Sequence, residues 1–283
     1  MIAVVTGASR GAGKGIALAL ADTGATVYVT GRTATDGDSE LPGSIATTAK
    51  QIEERGGVGI PVVVDHGDDA QVAALFEQVG ADHGRLDILV NNAYSIPDKI
   101  TARRPFWEKP GQEVMLDVGL RSSYIASYYA AALLIEGGKL VVNTSSFGGT
   151  CYMHGPAYGA VKAGVDKMAH DMANDFRPHD VAVISLWMGM LRTERTEPLF
   201  AAIDANPNHP YAGLTDHAES AEFPGRIIAA LAASPDRMSY SGRVHVGAEL
   251  AAQLGVTDRD GSQPASQRPM LGSPPDYSPA VVY

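Results

Sequence analysis

Seven short runs rich in β-branched residues, at 2–6, 26–30, 59–64, 86–91, 139–144, 181–187 and 243–246, alternate with segments of helical period at 12–22, 44–55, 68–82, 111–136, 156–177 and 218–233. Strands joined through whole helices run parallel, because only a crossover of that length carries the chain back to the same edge. A parallel sheet in turn needs helices on both of its faces. The alternation therefore predicts an α/β fold, a doubly wound, mostly parallel seven-stranded sheet in one domain.

Three segments interrupt the rhythm, each following a predicted strand. Residues 31–43 are polar. Residues 94–111 collect Pro97, Pro105, Phe106, Trp107 and Pro110, and residues 188–217 mix Met, Leu and Phe with Pro, the makeup of a mobile lid. All three are expected at the carboxyl edge of the sheet, where open α/β folds bind ligands. Beyond Gly261 the chain becomes rich in Pro and Ser, and we expect a surface-hugging or disordered tail. The predicted organisation is a domain at 1–260 and a tail at 261–283.

Composition removes several classes of function. The net charge of -10 lacks the basic footprint that a nucleic-acid backbone requires, so no nucleic-acid partner is expected. Cys151 is the lone cysteine, so no intrachain disulfide is possible. Eight scattered histidines show no metal-ligand spacing, and no metal is expected. The first residues run straight into a strand-like segment without a basic leader, and the apolar run at 124–135 is too short to span a bilayer. A cytoplasmic protein with no membrane partner is the expectation.

Thr6-Gly7-Ala8-Ser9-Arg10-Gly11-Ala12-Gly13 joins the first strand to the first helix. Glycines there permit a tight turn and let a pyrophosphate approach the amide-rich helix terminus. The GxxxxGK[ST] phosphate loop fails at Ala8 and Gly15, and GxGxxG fails at Ile16. What remains, TGxxxGxG, resembles the short-chain dehydrogenase/reductase family, and the resemblance implies a Rossmann-like fold, strand order 3-2-1-4-5-6-7, and an NAD(P) cofactor. It makes Gly7, Ser9, Arg10, Gly11, Ala12 and Gly13 cofactor-binding candidates. The second strand ends in Val29-Thr30-Gly31-Arg32 with no acid before Asp36, and Arg10 lies inside the loop. That charge balance suits a ribose 2′-phosphate, so NADP is favoured and NAD is the alternative. Asp65 matches the family position that contacts the adenine ring; otherwise it caps the following helix.

Tyr158 and Lys162 form a YxxxK pair within a helical segment, which puts both on one face. A phenol with a pKa of about 10 is a poor base at neutral pH, and an adjacent ammonium favours the phenolate. In the family a serine 12 or 13 residues before the tyrosine contacts the substrate oxygen. Ser145 and Ser146 both qualify, and the SSxxG pattern selects Ser146. Asn91-Asn92-Ala93-Tyr94 is similar to the family's NNAG, implying cofactor contacts from Asn91 and Ala93. Met188-Gly189-Met190-Leu191-Arg192-Thr193 is similar to PGxxxT, implying contacts from Gly189 and Thr193. Tyr158 and Lys162 would also touch the cofactor.

Resemblance extends to about Gly261. Arg85-Leu86-Asp87, Phe106-Trp107, Gly119-Leu120-Arg121, Ser185-Leu186-Trp187 and Tyr240-Ser241-Gly242 place it closest to the dehydrogenase/reductase member-1 branch. Departures are Tyr94 for the glycine of NNAG, Gly119 where the family has a catalytic asparagine, and Met188 for proline. The implied reaction is hydride transfer between nicotinamide and a carbonyl or secondary alcohol. Ser146, Tyr158 and Lys162 would be catalytic, with a hydrophobic substrate lined by Tyr94, Phe147, Tyr152, His154, Trp187, Met190 and Leu191. Two other readings stand beside it: a catalytically weak dinucleotide-binding sensor or scaffold, and a non-redox epimerase or dehydratase. The resemblance also implies a homodimer or homotetramer built through helices at 111–136 and 156–177.

Overall fold

The computed structural model describes residues 1–206, 208, 209 and 218–282. In chain order the elements are β1 (Ile2–Val5), α1 (Gly11–Ala21), β2 (Thr26–Gly31), α2 (Ile45–Glu54), β3 (Val58–Val63), α3 (Asp69–His83), β4 (Ile88–Asn91), α4 (Ser122–Ile135), β5 (Leu140–Ser145) and α5 (Pro156–Phe176). Then follow β6 (Ala182–Trp187), β7 (Met190–Arg192), α6 (Glu197–Asp204), β8 (Ala218–Ser220), α7 (Phe223–Ala233), β9 (Arg243–Val246), α8 (Gly247–Leu254) and α9 (Arg268–Leu271). The main sheet has seven strands in the order β3-β2-β1-β4-β5-β6-β9, all parallel. This is the predicted doubly wound order, with β9 as its seventh strand.

Alternation along the strands explains the two layers of core. Ala3, Val5, Ile88, Val90, Leu140, Val142, Ile184 and Leu186 face one side, where Ile16 and Leu20 of α1, Ile52 of α2 and Ile227, Ile228 and Leu231 of α7 cover them. Val4, Leu89, Val141 and Val183 face the other, under Val72, Leu75 and Phe76 of α3, Ala130 and Leu134 of α4, and Ala169 and Ala173 of α5. Period-2 strands thus read as continuous apolar runs because both faces are buried.

Local signals set the helix starts. Ser44 caps α2 by accepting the Thr47 N–H, and Asp68 caps α3 by accepting those of Ala70 and Gln71. Pro156 opens α5 at a position where no amide donor is needed. At α1 the cap residue is Arg10, whose side chain makes no capping bond.

Four expectations differ from the structure. The segment 111–136 is not one helix: Val118 (φ -105°, ψ 86°) and Gly119 lie outside helical geometry, and α4 begins only at Ser122. The Val118 carbonyl turns away to accept the Ser95 N–H at 2.9 Å, which breaks the helical ladder. Residues 218–220 are not helix but β8, which pairs with β7 in a two-stranded parallel ribbon. The third interrupting segment contains α6, while its residues 207 and 210–217 lie outside the described ones. Helices α8 and α9 were not expected.

Beyond 260 the chain lies back on the domain: Ser266 and Arg268 bond the Glu249 carboxylate, Leu271 packs beside Phe147 and Trp187, and His170 meets the Tyr277 ring at 4.9 Å. Among the described residues, no helix is long and apolar enough to cross a membrane, and no cluster of His, Cys, Asp or Glu could hold a metal.

Candidate active site

The glycine loop and the segment after β4 are sewn together by two side chains. The Thr6 hydroxyl accepts the N–H groups of Asn92 and Ala93, each at 2.9 Å, and the Asn92 amide donates to the carbonyls of Thr6 and Gly7. Gly7 has φ +67°, and a Cβ there would stand 2.7 Å from the Ala93 Cα; one on Gly13 would stand 2.4 Å from the Gly7 carbonyl oxygen. These contacts require glycine and keep the first turn of α1 close against the loop. The chain thereby presents the early amides of α1, including that of Ala12, at the carboxyl edge of the sheet, at a terminus no side chain of Arg10 caps. This cradle suits the pyrophosphate of a dinucleotide.

Other cofactor candidates are distributed around that cradle in different ways. Ser9 is buried beside Gly31, at the end of β2. Arg32 is exposed and, among the described residues, has no hydrogen bond or ion pair, so its guanidinium is available to an anion. Arg10 is not available in the same sense, because its side chain donates to the carbonyls of Leu41, Pro42 and Gly43 and to the Thr33 hydroxyl. It holds the 31–43 segment against the glycine loop. Asp65 does not cap α3, which Asp68 does; its carboxylate accepts the Gly67 N–H at 2.9 Å. Asn91 is buried, and its amide donates to Ser127 Oγ and Asn143 Oδ1, both at 2.9 Å.

At the end of β5 the predicted catalytic groups meet. Ser146 Oγ and the Tyr158 hydroxyl lie 2.8 Å apart. A Cβ on Gly148 would stand 2.3 Å from the Tyr158 ring, so glycine at 148 makes room for it. Burial pushes the Tyr158 phenol up, and the hydrogen bond to Ser146 works against that. Lys162 lies one turn further along α5, buried, with Nζ donating to the Thr144 carbonyl at 3.2 Å. Burial pushes its ammonium down to about 8, and the Asp166 charge opposes the shift. Ser145 points the other way, its hydroxyl donating to the Lys162 carbonyl. Geometry therefore separates the two serines, and Ser146 is the one that meets the tyrosine.

Asp166 continues the same helical face and escaped the sequence reading. Its carboxylate is buried and accepts from Ser185 Oγ at 2.5 Å and from Trp187 Nε1 at 2.9 Å, with its acid form favoured by burial. The spacing YxxxKxxxD was the available signal, since i, i+4 and i+8 share one face. Tyr94, expected only as a pocket wall, stands against the tyrosine itself. Its ring stands edge to face with that of Tyr158 at 6.0 Å, and His154 approaches Tyr158 from another side at 5.0 Å. His154 holds φ +62°, and its carbonyl accepts Lys109 Nζ, which also binds the Ile100 carbonyl.

The loop after β6 completes the crevice. Gly189 donates its N–H to Glu219 Oε2 at 3.0 Å and has no room for a Cβ, which would meet that carboxylate at 2.5 Å. Glu219 is buried, and its carboxyl is pushed up to about 7 by burial and, to a lesser extent, by Asp258. Thr193 bonds Thr196, and the neighbouring Glu194 accepts the Gly11 N–H at 2.8 Å, which docks this loop on the glycine cradle. Two expected pocket walls are core instead: Phe147 and Trp187 are buried against each other and Val246, with ring centroids 5.0 Å apart. Tyr152 is exposed, and Tyr94, His154, Met190 and Leu191 are half-buried.

Comparison with known proteins agrees with this geometry. The profile of the family described as short chain dehydrogenase matches residues 1–204. The protein named dehydrogenase/reductase SDR family member 1 from Mus musculus is 40% identical over 269 residues, spanning 92% of this chain and 83% of the relative. A short chain dehydrogenase from Mycobacterium thermoresistibile superimposes with a TM-score of 0.76 at 25% identity, over 96% of this chain and 92% of that one. A 3-oxoacyl-[acyl-carrier protein] reductase from Brucella melitensis, solved in complex with NAD, shares the fold with a TM-score of 0.72 at 24% identity, over 87% and 94% of the two chains.

Proposed function

The chain belongs to the short-chain dehydrogenase/reductase family, close to its member-1 branch, and is an NAD(P)-dependent oxidoreductase; from that premise we propose that it interconverts a carbonyl and a secondary alcohol, with NADP preferred over NAD. The bound dinucleotide supplies or accepts the hydride. The observation that carries the proposal is the Ser146 hydroxyl 2.8 Å from that of Tyr158, with Lys162 one turn away on the same helix.

Those three residues divide the proton chemistry. In the reducing direction the Ser146 hydroxyl donates to the substrate oxygen and Tyr158 delivers the proton, so both hydroxyls converge on one atom. Loss of that proton leaves a phenolate, which the Lys162 ammonium stabilises from within the same buried site. The Thr144 carbonyl fixes Nζ in place. In the oxidising direction the same groups take the proton back.

The preference for NADP rests on Arg32, exposed at the end of β2 and unpaired among the described residues. Gly7, Gly11, Ala12 and Gly13 would face the pyrophosphate, and Ala93, Gly189 and Thr193 the nicotinamide half. Tyr94, His154, Met190 and Leu191 would give the substrate a hydrophobic and aromatic surface. The division into a catalytic domain at 1–260 and a tail belongs to the same reading. So does a homodimer or homotetramer, supported by the exposed Tyr124, Tyr128 and Ile135 on α4, and so does a cytoplasmic location.

A panel of ketones, aldehydes and secondary alcohols, assayed with NADPH and NADH in parallel by nicotinamide absorbance, tests the proposal. Turnover of at least one carbonyl, faster with NADPH, is expected. Tight nucleotide binding with no redox change across the panel refutes it in favour of a sensor or scaffold.

A further inference from the structure

We propose that Tyr94 is a positioning residue of the proton-transfer site, whose ring face holds the Lys162 ammonium in a fit that only glycine at 119 allows. This deepens the reading above and rests on Lys162 and Tyr158 acting together. Tyr94 enters no account of the site drawn from the Ser-Tyr-Lys set alone, and four independent contacts define its place.

Its backbone is fixed first, since the Ala93 N–H before it is clipped to Thr6 and the Ser95 N–H after it bonds the Val118 carbonyl. The ring then meets three groups. Lys162 Nζ lies 4.6 Å from the ring centroid, against 5.7 Å from that of Tyr158. The Tyr158 ring stands perpendicular to it, at an interplanar angle of 84°. The Tyr94 hydroxyl ends on the sulfur of buried Met115 at 2.9 Å. An ammonium taken out of water is drawn to the negative face of an aromatic ring.

Gly119 supplies the fourth contact by what it lacks. A Cβ there would lie 2.8 Å from both Cδ2 and Cε2 of Tyr94, so any larger residue displaces the ring. The polar groups of Gly119 cannot substitute for it. Its N–H donates to Ser122 Oγ at 3.0 Å, and its carbonyl accepts the Ser123 hydroxyl at 2.6 Å. Residues 94 and 119 form a matched pair, large against small.

Other groups around the ammonium do not make the ring redundant. Tyr158 and Asp166 face Lys162 from its own helix, Asp166 acting through its charge. β5 offers the neutral Thr144 carbonyl. From the segment before α4, Gly119 packs on the Tyr94 ring, while Arg121 turns outward to Asp69. Burial drives the Tyr94 phenol above any working pH, so Tyr94 exchanges no proton itself.

The test is a titration that needs neither substrate nor nucleotide. The full chain is labelled with [13Cε]lysine, the Lys162 signal is assigned by its loss in Lys162→Met, and its midpoint is followed in wild type, Tyr94→Phe and Tyr94→Leu. Tyr94→Phe keeps the ring face and should titrate with wild type. Tyr94→Leu should titrate lower by about one pH unit. Gly119→Ala, which retains the ring but pushes it aside, should move the midpoint in the same direction, and should add nothing on top of Tyr94→Leu. It also serves if Tyr94→Leu does not fold. A Tyr94→Leu or Gly119→Ala midpoint equal to wild type overturns the proposal, as does Tyr94→Phe shifting with Tyr94→Leu. A shifted lysine in a protein that turns over no carbonyl would remove the functional reading and leave this one standing; an unmoved lysine in an active enzyme would do the reverse.

Discussion

Glu219 is a buried acid on β8 whose carboxylate, among the described residues, accepts one hydrogen bond, from the backbone of the loop beside the catalytic crevice, and replacing it with glutamine should stabilise the protein in a pH-dependent way. The side chain is 3% exposed, its Oε2 accepts the Gly189 N–H, and its carboxyl is raised from 4.5 to about 7. The folded protein therefore holds this proton more tightly than the unfolded chain does. Between about pH 4.5 and 7 the folded state binds more protons, so stability falls as pH rises through that window and reaches its full cost above 7. At about 1.4 kcal/mol per pH unit, the rise corresponds to about 3 kcal/mol. Glutamine keeps the carbonyl acceptor for Gly189 and carries no charge at any pH. Glu219→Gln should thus gain little over wild type at pH 4.5 and about 1–3 kcal/mol at pH 8, or several degrees in Tm for a domain of this size. Denaturant and thermal unfolding of both proteins from pH 4.5 to 8 measure the gap. A gap independent of pH, or one that widens as pH falls, refutes the reasoning.

Two further substitutions address the cofactor cradle. Arg32→Ala should weaken NADPH binding by about 10-fold or more while leaving NADH within about 2-fold, because a charge-assisted contact is lost only where a 2′-phosphate is present; fluorescence titration with both nucleotides checks it. Gly13→Ala forces a Cβ to within 2.4 Å of the Gly7 carbonyl oxygen and the Asn92 amide, so it should destabilise the domain by about 1–3 kcal/mol and weaken both nucleotides alike. Calorimetry and the same titration read the two effects.

How much of this was legible in the sequence depends on the range of the forces involved. The seven strands of the main sheet were readable because residues such as Val4 and Val141 are β-branched and apolar in a sheet covered on both faces, and the glycine loop because the positive φ of Gly7 and the approach of Gly13 to the Gly7 carbonyl are local constraints. Tyr158 and Lys162 were legible from their i, i+4 spacing on α5, whereas spacing alone left Ser145 and Ser146 level and the resemblance to SSxxG chose between them. The break at Val118 did not, since its cause is a hydrogen bond to Ser95 from a segment more than twenty positions away. β7 and β8 are three residues each, too short to show a period. Trp187 looked like a pocket wall because it ends a strand at the correct edge, yet its indole N–H is drawn inward by Asp166, a partner the sequence does not reveal. Tyr94 and Gly119 looked like two separate departures from a motif and become one feature only when their distance is known.

The central claim is tested most directly by single-turnover hydride transfer in Tyr158→Phe, saturated with NADPH and given a carbonyl that the wild type reduces. The ring and its packing survive the change, so nucleotide affinity should match wild type while the transfer rate falls by about 10²–10⁴-fold. A variant that binds NADPH normally and transfers hydride within about 3-fold of the wild-type rate would contradict the assignment.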